Sequence, residues 1–366
     1  MTENEIAGNP EIEQADEQQA RGRGRKNKKK NWPLRIGVIV GILAVLAAAV
    51  VILLNTNLFG NGEVIEDEWK TPEYLRSKTM TILVAGLDDV KEEERTDLLT
   101  DVIMVVNLDL ENYTATMLQI PRDTYVGNIV YYSKINGIYN WGLLDEDGNE
   151  IGVKGMAPLV ETVHEQFCLP IDYYVLVTLD GLADVVDRLG GIEITIDEEL
   201  TLTDDIVYEP GTYVIDGETT KLFVRSRNYK DADVKRQDVQ RYILAALFQR
   251  ALSCSKGEMV GLVNELYDDI ETDFSINELL SLASQAKNFS MANIKMMRVP
   301  GEGVRRYGLY GVDVYSVHKD QLADLLNQFM RPYTDDVPAS ELPVIEIQNT
   351  DDTWDDPNYG TLEDYD

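Results

Sequence analysis

Cysteine and histidine are scarce in this sequence, which limits the kinds of catalytic site that it can build. The 366 residues contain two cysteines, Cys168 and Cys254, and two histidines, His164 and His318. Neither histidine belongs to an HExxH motif or has a second ligand at metal-binding spacing, so a zinc hydrolase has little support. We interpret the histidines as core or surface residues. The cysteines are compatible with one disulfide or with two buried free thiols.

Two common catalytic signatures are also missing. The sequence contains no GxSxG motif, the elbow that presents a nucleophilic serine. The glycines at 190–191 and 301–303 precede no Lys-Ser/Thr helix start, so they are interpreted as turn glycines rather than phosphate-binding loops. The sequence therefore implies no nucleotide site.

Positive charge is scarce as well. Lysine and arginine number 33 against 65 aspartates and glutamates, which gives a formal net charge of −32. Nucleic-acid binding needs clustered basic residues on one face, so a nucleic-acid partner is not expected. Any cluster of basic residues in such a chain requires an explanation.

One long apolar run is present, from Leu34 to Leu54, with a single charged residue near its start. Its length matches the ~20 residues that a helix needs to cross a bilayer. A basic block precedes it, and residues 55–69 contain no lysine or arginine. The positive-inside bias therefore predicts a single-pass membrane protein whose N-terminus is cytoplasmic and whose remaining chain is extracytoplasmic. A cleaved signal peptide is less consistent, because the run is too long and begins too late.

By composition, the whole chain divides into five segments. Residues 1–33 are predicted to be a disordered cytoplasmic tail, 34–54 the transmembrane helix, 55–78 a linker and 333–366 an acidic disordered tail. Between them, residues 79–332 alternate strand-like and helix-like segments, which favours one α/β domain. The predicted strands are 81–87, 101–109, 114–120, 173–179 and 192–197. The predicted helices are 181–189 and 233–252.

Acidic and basic residues stand at the ends of the first three predicted strands. If these strands run up, down and up, Asp88 ends the first, Asp101 begins the second, and Arg122 and Asp123 follow the third. All four would then meet at one edge of the sheet. The alternative is that aspartate simply favours strand ends and turns.

A second group contains the arginines at 225, 227, 236 and 241 together with Gln240. Arg236 and Gln240 are four residues apart and share one helix face. Arginine suits bidentate recognition of phosphate oxygens, and nearby carboxylates suit Mg²⁺ that also binds phosphate. Together the groups suggest a site for a metal-bound pyrophosphate. Ordinary surface ion pairing is the alternative for any single arginine.

These segments resemble the LytR-CpsA-Psr (LCP) family of bacterial cell-envelope enzymes. The resemblance rests on ILVAGLD (82–88), TDVIMVV (100–106), LQIPRDTYV (118–126), KIN (134–136), GIYNWG (137–142), the blocks at 171–194 and 214–227, and DVKRQDVQR (233–241). It implies a mixed central β-sheet flanked by helices, in an extracytoplasmic domain behind one N-terminal transmembrane helix.

The resemblance also implies a function. Family members transfer a glycopolymer from a polyprenyl-pyrophosphate carrier to peptidoglycan at the membrane. Asp88 and Asp101 are then expected to bind Mg²⁺. Pyrophosphate binding is expected from Arg122, Arg225, Arg227, Arg236 and Gln240, and catalysis from Asp88, Asp101, Arg122 and Arg236. A groove for the polyprenyl tail is implied between sheet and helices, with Tyr173, Tyr174, Val175, Leu176 and the helix 242–252 as candidate walls.

Two roles and the exact reaction stay open. Family members often have an arginine two residues before the second aspartate, where this chain has Leu99, and Arg95 is the nearest basic residue. Asp88, Asp101 and Asp123 are all candidates for the general base. A polyprenyl-pyrophosphate hydrolase and a non-catalytic, membrane-anchored envelope regulator are alternative functions, and the polymer carried, whether teichoic acid or capsule, is unspecified.

The charge asymmetry around the apolar run makes the topology testable. A reporter that is active only outside the cytoplasm and is fused after Asp366 should be active, because the basic block holds the N-terminus inside. Enzyme activity of the fusion in whole cells measures this. A fusion active only as a cytoplasmic reporter would contradict the predicted orientation.

Overall fold

The computed structural model describes residues 66–88, 98–196, 199–203, 206–225, 270–286, 288–289, 291–347 and 353–354, with scattered positions between 243 and 267. The predicted membrane span at 34–54 and most of the predicted helix at 233–252 lie outside these residues. Within the part that is described, no helix has the length and apolarity to cross a bilayer.

Each of the five predicted strands is present, and every boundary lies within two residues of its predicted place. The strands are β1 (Thr79–Asp88), β2 (Leu99–Asp109), β3 (Thr114–Ile120), β4 (Tyr173–Thr178), β5 (Ile192–Ile196), β6 (Leu200–Thr203), β7 (Ile206–Tyr208), β8 (Gly211–Ile215), β9 (Ile270–Thr272), β10 (Ile294–Arg298), β11 (Gly301–Tyr307), β12 (Val312–Val317) and β13 (Thr353–Trp354). The α-helices are α1 (Ile138–Trp141), α2 (Met156–Phe167), α3 (Leu179–Arg188), α4 (Gly217–Arg225), α5 (Ile276–Ala286) and α6 (Lys319–Phe329).

Six strands form the central sheet in the order β10–β3–β2–β1–β4–β9. Strand β2 runs antiparallel to both β1 and β3, as the sequence predicted. Strand β4 is parallel to β1, and β10 is parallel to β3. The sheet is therefore mixed, which confirms the predicted fold class of a mixed central sheet flanked by helices.

Helices cover both faces of the sheet, so its central strands are apolar at nearly every position. On β1, Ile82 and Val84 pack in one layer, and Leu83 and Ala85 pack in the other. The first layer includes residues of α3, α4 and α5, and the second includes residues of α2 and α6. Each fully buried aliphatic side chain contributes about 1.5–3 kcal/mol to this arrangement.

The alternation of side chains along β4 between the two layers corrects one prediction about the polyprenyl groove. Tyr173 and Val175 contact the layer that contains α3, α4 and α5, whereas Tyr174 and Leu176 lie in the layer with α2 and α6. Because successive side chains on a strand point to opposite faces, these four residues cannot line one groove.

The segment before β1 is packed against the domain through a buried carboxylate. Asp172 accepts hydrogen bonds from the Thr71 amide and hydroxyl, both at 2.8 Å, and from the Thr81 amide at 2.7 Å. Burial raises the pKa of Asp172, although these donors favour the anion. Residues 66–78, which the sequence assigned to a linker, are thus joined to β1 by specific hydrogen bonds.

Part of the predicted C-terminal tail also packs on the domain. Leu342, Val344 and Ile347 are buried, and the Tyr333 hydroxyl donates to the Asp109 carboxylate at 2.8 Å. The sequence assigned this stretch to a disordered tail because it is acidic and contains proline. Leu342 and Val344 nevertheless pack in the layer with α2 and α6, and Ile347 packs in a smaller cluster with Tyr125, Val304 and Val314.

Replacing Asp172 with alanine should destabilise the domain. The Thr71 and Thr81 amides would lose their acceptor in a buried position, and an unsatisfied buried donor costs about 1–3 kcal/mol. We expect the melting temperature of the full chain in detergent, followed by circular dichroism, to fall by roughly 5–10 °C. The matched control is Asp324→Ala, on the exposed face of α6. Equal melting of the two variants would contradict this role.

Candidate active site

A β-bulge at the end of the first hairpin shapes the site. The pairing of β1 with β2 passes from Gly86 opposite Val102 to Leu87 opposite Thr100, so Asp101 is the extra residue. A bulge interrupts the alternation of side chains and redirects the extra one. The two strands also approach closely here, since a Cβ at Gly86 would lie 3.0 Å from the Val102 Cβ. Asp101 is thereby presented at the edge of the sheet rather than in its ladder.

Alternating charges extend from this bulge. The Arg122 Nη1 atom donates to the Asp101 Oδ1 atom at 2.9 Å, and its Nε atom lies 3.7 Å from Asp123 Oδ2. The Lys134 Nζ atom lies 2.8 Å from Asp123 Oδ1. Two carboxylates and two cations thus form one continuous, half-buried group, which we call the charged cluster: Asp101, Arg122, Asp123 and Lys134.

The backbone that carries Arg122 and Asp123 is hydrogen-bonded on both sides. On one side, the Tyr315 amide donates to the Asp123 carbonyl, and the Tyr125 amide donates to the Tyr315 carbonyl, both at 2.8 Å. On the other, the Asn136 amide donates to the Arg122 carbonyl at 3.2 Å and the Ile135 amide to the Thr124 carbonyl at 3.0 Å. The segment is therefore held between β12 and residues 134–136.

Three of the predicted site residues meet in this cluster: Asp101, Arg122 and Asp123. Asp88 ends β1 opposite Leu99, at the same edge, and its side chain lies outside the described residues. Arg225 is the exposed last residue of α4. Arg95, Arg227, Arg236 and Gln240 lie outside the described residues, so the meeting of the two predicted groups stays a prediction.

Lys134 is the member of the cluster that the sequence did not single out. It lies eleven residues after Asp123, and it reaches that residue because Lys134 and Tyr125 form an isolated antiparallel bridge. The only sequence signal was its place in the KIN block at 134–136. Because the chain is so poor in positive charge, a lysine this close to Asp123 in sequence was itself an indication of an anion-binding site.

The carboxylates suit a magnesium ion that takes further ligands from a substrate. In the described part of the chain, no three or more acidic, histidine or cysteine side chains are grouped closely enough to hold a metal. Mg²⁺ is commonly bound through one or two carboxylates with water and phosphate oxygens completing its octahedron. Asp101 could supply one such carboxylate, and Asp88 ends the neighbouring strand.

The cysteines take no part in this site. Both Cys168 and Cys254 are free and partly buried, so the disulfide alternative is excluded and the free-thiol alternative holds. Burial raises the pKa of both thiols, which makes them poor nucleophiles. His164 lies on α2 with its Nδ1 atom 2.8 Å from the Leu169 carbonyl, a structural contact.

An α/β domain whose mixed sheet presents carboxylates and cations at one edge has the groups needed to bind a charged substrate there. The chain belongs to the LytR_cpsA_psr family, whose model matches residues 56–331.

Curated relatives and solved structures agree with this membership. The chain is 28% identical over 306 residues to the polyisoprenyl-teichoic acid–peptidoglycan teichoic acid transferase TagU of Oceanobacillus iheyensis, covering 79% of this chain and 91% of the relative. It is 31% identical over 239 residues to the transferase TagV of Bacillus subtilis, covering 62% and 58% of the two chains. The crystal structure of B. subtilis TagV matches 71% of this chain and 100% of its own at 27% identity, with a TM-score of 0.58.

Lys134 should contribute to anion binding. We expect Lys134→Met to weaken binding of inorganic pyrophosphate to the full chain about 10-fold or more, since a charge-assisted hydrogen bond contributes about 1.5–3 kcal/mol. Isothermal titration calorimetry measures the affinity. The control is Lys295→Met, an exposed lysine of β10 that lies over the Phe329 ring. Equal affinities of the two variants would remove Lys134 from the binding site.

Proposed function

We propose that this protein is a Mg²⁺-dependent phosphotransferase that moves a glycopolymer from a polyprenyl-pyrophosphate carrier to peptidoglycan on the outer side of the cell membrane. The observation that carries the proposal is the charged cluster, in which Arg122 and Lys134 alternate with Asp101 and Asp123. The family membership and the names of the curated relatives support the same reaction.

The cations account for substrate binding. A pyrophosphate diester carries negative charge that the chain as a whole, at −32, would repel. Arg122 and Lys134 balance the charges of Asp101 and Asp123, so this part of the surface is formally neutral rather than acidic, and both cations are oriented by these carboxylates before substrate arrives. Such preorganised charge is the main contribution a protein makes to phosphoryl transfer.

The reaction exchanges one phosphorus–oxygen bond for another. A hydroxyl of the acceptor glycan attacks the phosphorus next to the donor sugar, the bond to the bridging oxygen breaks, and polyprenyl phosphate leaves. Arg122 and Lys134 would stabilise the charge that grows on the leaving phosphate. A magnesium ion held by Asp88 and Asp101 would supply further charge neutralisation.

The attacking hydroxyl must lose its proton, and Asp123 is the base that we favour. Its side chain is 39% exposed, against 22% for Asp101, and it lies on the solvent side of the cluster. Asp101 is paired with Arg122 at 2.9 Å and Asp123 with Lys134 at 2.8 Å, so the two carboxylates differ in exposure rather than in ion pairing. An acceptor entering from solvent would meet Asp123 first.

Asp101 provides the sharpest test of this function. Asp101→Asn preserves the side-chain shape but removes the charge, so we expect the rate of Mg²⁺-dependent transfer to fall at least ~100-fold, as for other single electrostatic groups in active sites. The assay uses the full chain in detergent, a polyprenyl-pyrophosphate-linked glycan, purified peptidoglycan sacculi and Mg²⁺, and it measures sugar attached to the sacculi. Asp324→Asn on α6 is the control.

Product analysis separates the alternatives. Release of free polymer at the same rate with and without sacculi would indicate a lipid-pyrophosphate hydrolase instead. Binding of the lipid without any turnover would indicate a non-catalytic regulator. Full activity of Asp101→Asn would contradict the role given to the charged cluster.

A further inference from the structure

Four aromatic side chains gather on the surface, carried by the two chain segments that flank residues 121–126. The Tyr132 ring lies 5.3 Å from the Trp141 ring and 5.3 Å from the Tyr310 ring, measured between centroids. Tyr131 contacts the other side of this group, 6.3 Å from Trp141. We call these four residues the aromatic platform. The two contacts of Tyr132 are tilted, at 59° and 56°, so the rings do not cover one another face to face.

Core packing does not explain the central ring. Tyr132 is 47% exposed, and the neighbouring Leu309 is more exposed still. The backbone of Tyr132 has a φ of 62°, and that of Ser133 has a φ of 57°. This left-handed conformation suits glycine or asparagine far better than a bulky residue. A strained backbone that presents a large ring to solvent is typical of a functional surface.

The platform and the proposed active site are carried by the same chain segments. Tyr132 lies two residues before Lys134, and the Ser133 carbonyl between them accepts a hydrogen bond from the Val126 amide at 3.0 Å. Tyr310 lies in the turn between β11 and β12, and β12 binds the backbone of Asp123 through Tyr315. The two chain segments that carry the platform are thus the two that hold residues 121–126 in place.

We infer that the aromatic platform binds sugar rings of the acceptor glycan strand and guides a hydroxyl to Asp123. This inference rests on the proposed function, in which the acceptor must approach from solvent. Aromatic faces bind the apolar C–H face of a pyranose, while the tyrosine hydroxyls remain available for hydrogen bonds. Arg306 is exposed on the same hairpin as Tyr310, where it suits a carboxylate of a peptide stem.

A polyprenyl tail fits this surface less well. Such a tail gains affinity by leaving water, which requires an enclosed apolar groove. The platform is instead open, as the exposure of Tyr132 shows. A sugar has both polar and apolar surfaces, so it matches an open group of three tyrosines and one tryptophan better than a polyprenyl tail does.

The test uses the double variant Tyr132→Asn and Tyr310→Ser in the full chain in detergent. Asparagine accepts the left-handed backbone at 132, so the turn should be preserved. We expect affinity for purified peptidoglycan sacculi, freed of attached polymer and measured by co-sedimentation, to fall at least ~10-fold, since exposed aromatic anchors dominate many interfaces. The KM for sacculi in the transfer assay should rise, and the affinity for inorganic pyrophosphate should stay unchanged.

The control is Tyr74→Ala. Tyr74 is 76% exposed and precedes β1, at the opposite end of that strand from Asp88, so its loss should leave sacculus binding unchanged. Wild-type binding of sacculi by the double variant, or no binding by the wild-type chain, would overturn the inference. The inference would also be overturned if the double variant lost binding of the lipid donor, or self-association, and still bound sacculi.

The two proposals fail separately. Platform-dependent binding of sacculi without any polymer transfer would reject the phosphotransferase and support the platform. Transfer that proceeds equally in wild type and double variant would support the phosphotransferase and reject the platform.

Discussion

The position of the candidate site depends on the hydrogen bonding of residues 121–126 on both of their edges. This segment leaves the sheet at the end of β3 and would otherwise be a loop, yet β12 pairs with one side and residues 134–136 with the other. A backbone fixed in this way holds Arg122 and Asp123 at constant distance from the bulge at Asp101. The sheet supplies one half of the charged cluster and this pairing supplies the other. Without it, the arginine would have the freedom of a surface side chain and most of its electrostatic value would be lost to solvent.

Much of the central sheet could be predicted from the sequence, because β-branched runs such as 101–109 have a clear pattern and short connections. The antiparallel order of β1, β2 and β3 followed from the tight turn after Asp109, and it brought Asp101 and Arg122 to one edge. Edge strands were harder. Strand β10 contains Lys295 and Arg298 among its five residues and pairs in parallel with β3 across a long stretch of sequence, so no local pattern indicated it.

The rest of the site depended on contacts that sequence spacing does not encode. The bulge at Asp101 arises from a one-residue mismatch between β1 and β2, which is visible only when both strands are placed. Lys134 reaches Asp123 through a bridge between two loops. The packed stretch that contains Leu342 and Val344 was concealed by its acidic composition, since a few well-spaced apolar residues are enough to bind a segment whose average hydropathy suggests disorder.

The hydrogen bonds of Asp172 also limit how far the domain can lie from a membrane anchor. They attach Thr71 to the sheet, and the described part of the domain begins at Glu66. If the predicted membrane helix ends at Leu54, eleven residues, 55–65, separate it from this part of the chain. A chain of that size spans at most roughly 40 Å when fully extended. In an anchored protein, the start of the domain would then lie within that distance of the bilayer, and the charged cluster, at the far end of the ten-residue strand β1, would lie at most about one strand length beyond it. The tether would act as a measure of depth, selecting wall strands that lie close to the membrane over those farther out.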